Sequence, residues 1–181
     1  AYLIVILSGA NEDEVYYQAE QVSNVCQKYG AVDTLMAERR EEQSAILKIR
    51  SEVQSAVSPN ADSLDTAVPP GEIGNLMDEV DKIAAKYGVK IPAVGHAGDG
   101  NIHHILVKDV GDRGLLGNIK EEIYAVAMRL GGTITAEHGI GKKGIHYLDV
   151  YTDPRQKQIM RDIKKAFDPN NILNPDTAIV P

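Results

Sequence analysis

Apolar residues along the chain fall into short continuous runs and into longer stretches spaced by three and four. Tyr2 to Leu7 is a β-branched run stopped by Ser8-Gly9, which predicts a buried strand and a turn. Asn11 followed by Glu14 marks a helix start, and Val15, Ala19, Val22, Cys26 and Tyr29 recur at helical spacing until Gly30. Ala31 to Met36 reads as a second strand, and a charged helix is expected from about Arg40 to Val57, broken at Ser58-Pro59-Asn60. Leu64 to Val68 forms a short extended piece closed by Pro69-Pro70-Gly71. In the next helix Ile73, Leu76, Met77, Val80, Ile83 and Ala84 share one apolar face ahead of Gly88. Strands are expected at Ile91 to Val94 and Ile102 to Val107, on either side of a glycine-rich turn. Ile119, Ile123, Val126 and Leu130 mark another helix, ending at Gly131-Gly132. Asp153-Pro154 opens the last one, with Ile159, Ile163, Ala166 and Phe167 on its expected buried side and an irregular tail from Asn170.

Strands and helices mix here without the steady alternation of a doubly wound sheet. The expectation is an α+β fold, a mainly antiparallel sheet with helices on one face, ferredoxin-like in its two loosely similar halves. Residues 1–150 form the body on this reading, and 151–181 a C-terminal helix and tail.

Composition narrows the function. Of 181 residues, 43% are hydrophobic and 25% charged, ordinary for a folded chain with one sizeable core. With one Phe and no Trp, that core is built from aliphatics and tyrosines. Nineteen Lys+Arg against twenty-six Asp+Glu give a formal charge of −7, so no basic field is available for a nucleic acid. The run Tyr2 to Leu7 is far too short to span a bilayer, and no basic segment precedes it. The single cysteine, Cys26, excludes a disulfide framework and a cysteine-rich zinc site and fits a reducing, cytoplasmic setting. Any metal ligands must then be His, Asp or Glu. The opening Ala1-Tyr2, without methionine or polar lead-in, reads as part of a longer polypeptide.

Three of the five histidines fall in Gly95-His96-Ala97-Gly98-Asp99-Gly100-Asn101-Ile102-His103-His104. Glycines at 95, 98 and 100 permit a turn tight enough for His96 and His103 to converge from adjacent strands. Two neutral imidazoles facing one point make half of a divalent-metal site suited to zinc, iron or manganese, with Asp99 and Asn101 available to orient the rings. His104 points to the opposite face of the strand and is not expected to bind the same ion. A second cluster lies in Gly131-Gly132-Thr133-Ile134-Thr135-Ala136-Glu137-His138-Gly139-Ile140-Gly141-Lys142-Lys143. Glu137 would complete a His-His-Glu site with positions open for a substrate, and His138 would be free as a general base. The bland alternatives are a core histidine in a glycine-rich hairpin and a solvated Glu-His pair in a loop.

Gly139-Ile140-Gly141-Lys142-Lys143-Gly144 matches the spacing of a dinucleotide-binding loop. Glu137-His138 stands where a hydrophobic strand should lead in, and no clear helix is expected before Asp153, so that assignment is rejected. Nor is it a phosphate-binding Walker A loop, since Ala136 and Lys143 occupy the places of a glycine and a Ser/Thr.

The run Gly95 to His103, the segment Gly132 to Gly141 with Glu137-His138-Gly139, and the tail Phe167-Asp168-Pro169-Asn170-Asn171-Ile172-Leu173-Asn174-Pro175 together resemble the C-terminal domain of FAD-linked oxidases of the vanillyl-alcohol-oxidase superfamily. This group includes D-lactate dehydrogenases, the glycolate oxidase FAD subunit and D-2-hydroxyglutarate dehydrogenases. By the run His96-Ala97-Gly98-Asp99-Gly100-Asn101 the chain resembles the glycolate oxidase FAD subunit in particular. The resemblance implies a domain that supplies the substrate side of an oxidoreductase acting on a 2-hydroxy acid, with FAD held mostly by an upstream domain. It implies a divalent metal on His96, His103 and Glu137, with His138 as catalytic base. It matches Arg50 to a substrate-carboxylate arginine, although Leu47 stands where a tryptophan is usual, and places Asn174 in a tail that returns toward the flavin. Ser63-Leu64-Asp65 stands where hydroxyglutarate-type enzymes carry a lysine, which argues against a second substrate carboxylate. An iron–sulfur electron-transfer subunit is a further implied partner. The alternatives are a non-catalytic metal- or small-acid-binding module that works with a separate flavoprotein chain, and a metal hydrolase with Glu137 as base.

Overall fold

The computed structural model describes residues 2–57, 62–177 and 179, without the side chains of residues 50, 54, 55 and 108. The chain divides into two compact units, Ala1–Glu52 and Val53–Pro181.

In the first unit, helix α1 spans Glu12–Lys28. The Asn11 side chain accepts from the Glu14 amide, one of those the helix leaves unpaired, while the Glu14 carboxylate accepts from the Ala10 amide just before the cap. Helix α2 follows over Arg40–Val57, its last five residues belonging to the second unit. The strands expected at Tyr2 to Leu7 and Ala31 to Met36 do not form. A strand exists only through its partner, and among the described residues neither segment joins the sheet; Tyr2, Leu3, Val32 and Leu35 are exposed.

The second unit has the expected α+β character. Three strands, β1 (Asp62–Ala67), β2 (Ala93–His96) and β3 (Asn101–Leu106), form an antiparallel sheet in the order β1-β3-β2. Two long helices, α3 (Ile73–Tyr87) and α5 (Leu116–Arg129), supply its core. Leu76, Val80 and Ile83 of α3 and Ile119, Ile123, Val126 and Ala127 of α5 join Leu64, Ile102 and Leu106 of the sheet in one buried cluster. Side chains alternate across a strand, so Leu64, Ile102, His104 and Leu106 mark the helix-covered face and Asp65 and His103 lie on the other. Short helices α4 (Lys108–Asp112) and α6 (Ile145–Tyr151) and the longer α7 (Pro154–Phe167) complete the unit.

Two sequence expectations need correction. Helix α7 forms where Asp153-Pro154 predicts it, with the Asp153 carboxylate accepting from the amides of Arg155 and Gln156, yet its apolar stripe is not buried: Ile159, Ile163, Ala166 and Phe167 are exposed. Periodicity shows that a helix has an apolar face but not what covers it. A helix also precedes Asp153: α6 starts directly after Gly144, held by Leu148 donating to the Gly144 carbonyl. The dinucleotide-binding reading still fails, because no strand enters the glycines. The nearest extended pairing is one isolated bridge at Thr133.

Candidate metal and substrate centre

The hairpin β2-β3 carries the first two histidines, and glycine makes it close enough. Gly100 has φ +83, and a Cβ there would lie 1.8 Å from the Val68 carbonyl oxygen, so no side chain fits. His103 pairs directly with Asp65 on β1 and Val94 on β2; His96, two residues beyond Val94, emerges on the same face. The 96–103 spacing therefore places both imidazoles on the face opposite the helices, as the turn chemistry predicts.

Glu137 and His138 arrive from a different direction. Helix α5 ends at Gly131-Gly132, and Thr133 exchanges two backbone hydrogen bonds with Ala67, extending the edge of β1 by one bridge. A Cβ on Gly132 would lie 2.1 Å from the Ala67 carbonyl oxygen, so that crossing also needs glycine. Beyond it, one oxygen of Asp65, Oδ2, accepts from the amides of Ala136 (2.9 Å), Glu137 (2.8 Å) and His138 (2.7 Å), and from the Thr135 hydroxyl (3.2 Å). Burial pushes the Asp65 carboxyl up, but the amides of His138, Glu137 and Ala136 outweigh it and hold the group below the ordinary carboxylate value.

The result is a convergence of imidazoles on one carboxylate oxygen. Glu137 Oε1 lies 3.0 Å from His103 Nε2, 3.5 Å from His96 Nε2 and 3.8 Å from His138 Nε2. The His103 ring stacks on His138 at 4.8 Å and meets His96 edge-on at 5.7 Å. His103 is buried, whereas His96, Glu137 and His138 are about half exposed, so the cluster opens to solvent on one side. One ligand atom from each of His96, His103 and Glu137 lies within 4.8 Å of the others, and Asp65, His103 and His138 satisfy the same condition. Two imidazole nitrogens and a carboxylate oxygen suit a divalent cation of borderline softness, and a three-residue set leaves coordination positions for a small molecule.

His104 faces the core, fully buried, 3.1 Å from the Thr66 hydroxyl, and desolvation pushes its pKa down to about 4. Asp99 does not orient a ring; it accepts from the Asn101 amide and so closes the turn. The Arg50 side chain lies outside the described residues. Asn174 is exposed with φ 47 in the tail, which Asp168 pins by accepting from the amides of Ile172 and Leu173. No hydrogen bond or ion pair among the described residues joins Asn174 to the imidazole cluster. Lys142 and Lys143 are exposed.

Asp65 is the site residue that reading the sequence missed. Its signal was available: in Leu64-Asp65-Thr66 the core-facing Leu64 puts Asp65 on the opposite face, yet a lone strand aspartate looks like an ordinary solvated one.

Comparison with known proteins identifies the family. The chain is 37% identical to the glycolate oxidase subunit GlcD of Bacillus subtilis, over 97% of this chain and 38% of that protein. It is 34% identical to a D-lactate dehydrogenase of Archaeoglobus fulgidus, over 92% of this chain and 38% of the relative. A D-lactate dehydrogenase of Anaerostipes hadrus is 31% identical, over 97% and 38%. The chain thus spans well under half the length of these relatives. Residues 1–178 match the family described as FAD linked oxidases, C-terminal domain, and the chain belongs to that family.

Proposed function

We propose that this chain is the substrate- and metal-binding part of a flavin-dependent 2-hydroxy acid dehydrogenase of glycolate or D-lactate type, which converts the hydroxy acid to the 2-oxo acid. The observation that carries the proposal is the meeting of His96, His103 and Glu137 around one point with His138 beside them. Family membership and the activities for which the relatives are named supply the reaction class. FAD would be held mostly by an upstream domain, toward which the 151–181 helix and tail, with Asn174, would return.

A divalent ion on His96 Nε2, His103 Nε2 and Glu137 Oε1 would supply Lewis-acid polarisation of a substrate oxygen, and the flavin a hydride acceptor. The chain's own residues do the rest. Buried His103 fixes one direction of the site, and half-exposed His96 and Glu137 define the mouth through which a small acid enters. His138, stacked on His103, takes the substrate hydroxyl proton at Nε2 and can release it to solvent, because half its side chain is exposed. For the substrate carboxylate the sequence offers Arg50.

The test uses the flavin-loaded polypeptide that carries this domain, assayed with glycolate and D-lactate. His138→Ala is expected to lower kcat at least 100-fold with flavin content unchanged, and His96→Ala to remove the bound divalent ion by elemental analysis. Unaltered turnover in the first variant removes the base. Full metal content in the second removes the ligand set and leaves a small-acid-binding module as the better reading.

A further inference from the structure

We infer that Asp65 is a positioning residue that assembles this site, one of its oxygens holding the Glu137-His138 loop and the other fixing which nitrogen of His103 faces the ion. The inference rests on the proposed metal site and adds a residue to it.

The two oxygens of Asp65 have separate tasks. Oδ2 is saturated: three consecutive amides and a hydroxyl point at it, and these are the amides of the segment that delivers Glu137 and His138. Without that anchor, Glu137 would hang from a glycine-flanked loop whose nearest other tie to the sheet is the Thr133 bridge. Oδ1 is buried and has no hydrogen-bond partner among the described residues, and the same is true of His103 Nδ1. The two atoms face each other at 3.5 Å across the β1-β3 pair. An imidazole N–H directed at that carboxylate satisfies both orphaned atoms at once.

Two carboxylates compete for the proton of a neutral His103 ring. Glu137 lies nearer, 3.0 Å from Nε2, but is half exposed, so water can serve as its partner instead. Asp65 is buried, fixed by three amides at its other oxygen, and its Oδ1 has no other partner among the described residues, so water does not compete for an N–H directed at it. The proton therefore goes to Nδ1, which leaves the Nε2 lone pair directed at Glu137 Oε1 and His96, where the ion is proposed. This is the carboxylate–histidine–metal arrangement in which the outer carboxylate sets tautomer and ring orientation.

Asp65→Asn separates orientation from anchoring. The amide oxygen can still accept the three loop amides, while the amide nitrogen turned to His103 donates to Nδ1 and forces the ring proton onto Nε2. Imidazole nitrogen spectra of the 15N-labelled chain, metal-free and with the ring neutral, are expected to show His103 protonated on Nδ1 in the wild type and on Nε2 in Asp65→Asn. Zinc affinity of the variant should fall ~10- to 100-fold. A wild-type ring protonated on Nε2, or an Asp65→Asn chain with wild-type zinc affinity, overturns the inference. The wild-type spectrum needs no variant and decides the tautomer even if Asp65→Asn does not fold. His96→Ala is the control for the metal site itself: zinc affinity unchanged there, or absent in the wild type, brings down the site while the spectrum still reports on Asp65.

Discussion

His103 and His104 are adjacent, yet the strand turns them to opposite sides and gives them opposite chemistry. His103 faces carboxylates; His104 sits in the core against Thr66 and stays neutral, its pKa pushed from 6.5 down to about 4 by burial. The unfolded chain binds this proton first as pH drops. The stability His104 contributes is complete above its unfolded value and is lost as pH falls from about 6.5 toward 4, a loss on the order of 3 kcal/mol at most. Urea midpoints measured between pH 7 and 5 should decline in the wild type and decline less in His104→Leu; equal slopes would show that His104 is not the group responsible. At this scale the four convergent residues were legible because glycines set them off and their types match ligand and base chemistry. Asp65 was not, because only strand pairing reveals that His103 is its neighbour and that a loop 71 to 73 residues on wraps around it.

Helices α3 and α7 show what an apolar stripe does and does not tell. In α3 the residues at helical spacing, Leu76, Val80 and Ile83, are buried against the sheet, whereas the equally regular stripe of α7 faces solvent. Truncation should distinguish them. Ile123→Ala in α5, which empties a fully buried position, is expected to cost roughly 2–5 kcal/mol in urea unfolding, and Ile163→Ala in α7 to stay within about 0.5 kcal/mol. A large loss at Ile163 would mean that the α7 face is covered in the protein measured. Gly100→Ala meets the Val68 carbonyl and a left-handed backbone, and should destabilise the hairpin and lower zinc affinity together. The hairpin and the long helices were readable from alternation and period. The extended runs at Tyr2 to Leu7 and Ala31 to Met36 were not, since an apolar segment specifies a strand only when a neighbouring edge receives it.

For the whole molecule, membership in the FAD-linked oxidase C-terminal family goes with a formal charge of −7 and a sheet that has one face covered by helices and the imidazole cluster on the other. None of its described helices is long and apolar enough to cross a membrane. Because the chain spans 38% of relatives such as GlcD of Bacillus subtilis, binding of the two proposed cofactors should separate. Purified alone, the chain is expected to take up about one equivalent of zinc by titration calorimetry and to stay colourless after incubation with FAD. A yellow product after desalting would place the flavin-binding determinants within these residues.

The uneven burial of the ligand set bears on how such a centre would be loaded. His103 is a fixed post rooted in the sheet, while His96 and Glu137 are half in water. An ion would enter and leave by the swing of two side chains while the rest of the protein stays folded. A chelator should then empty the centre within the time of ordinary mixing, and added zinc should refill it without any refolding step.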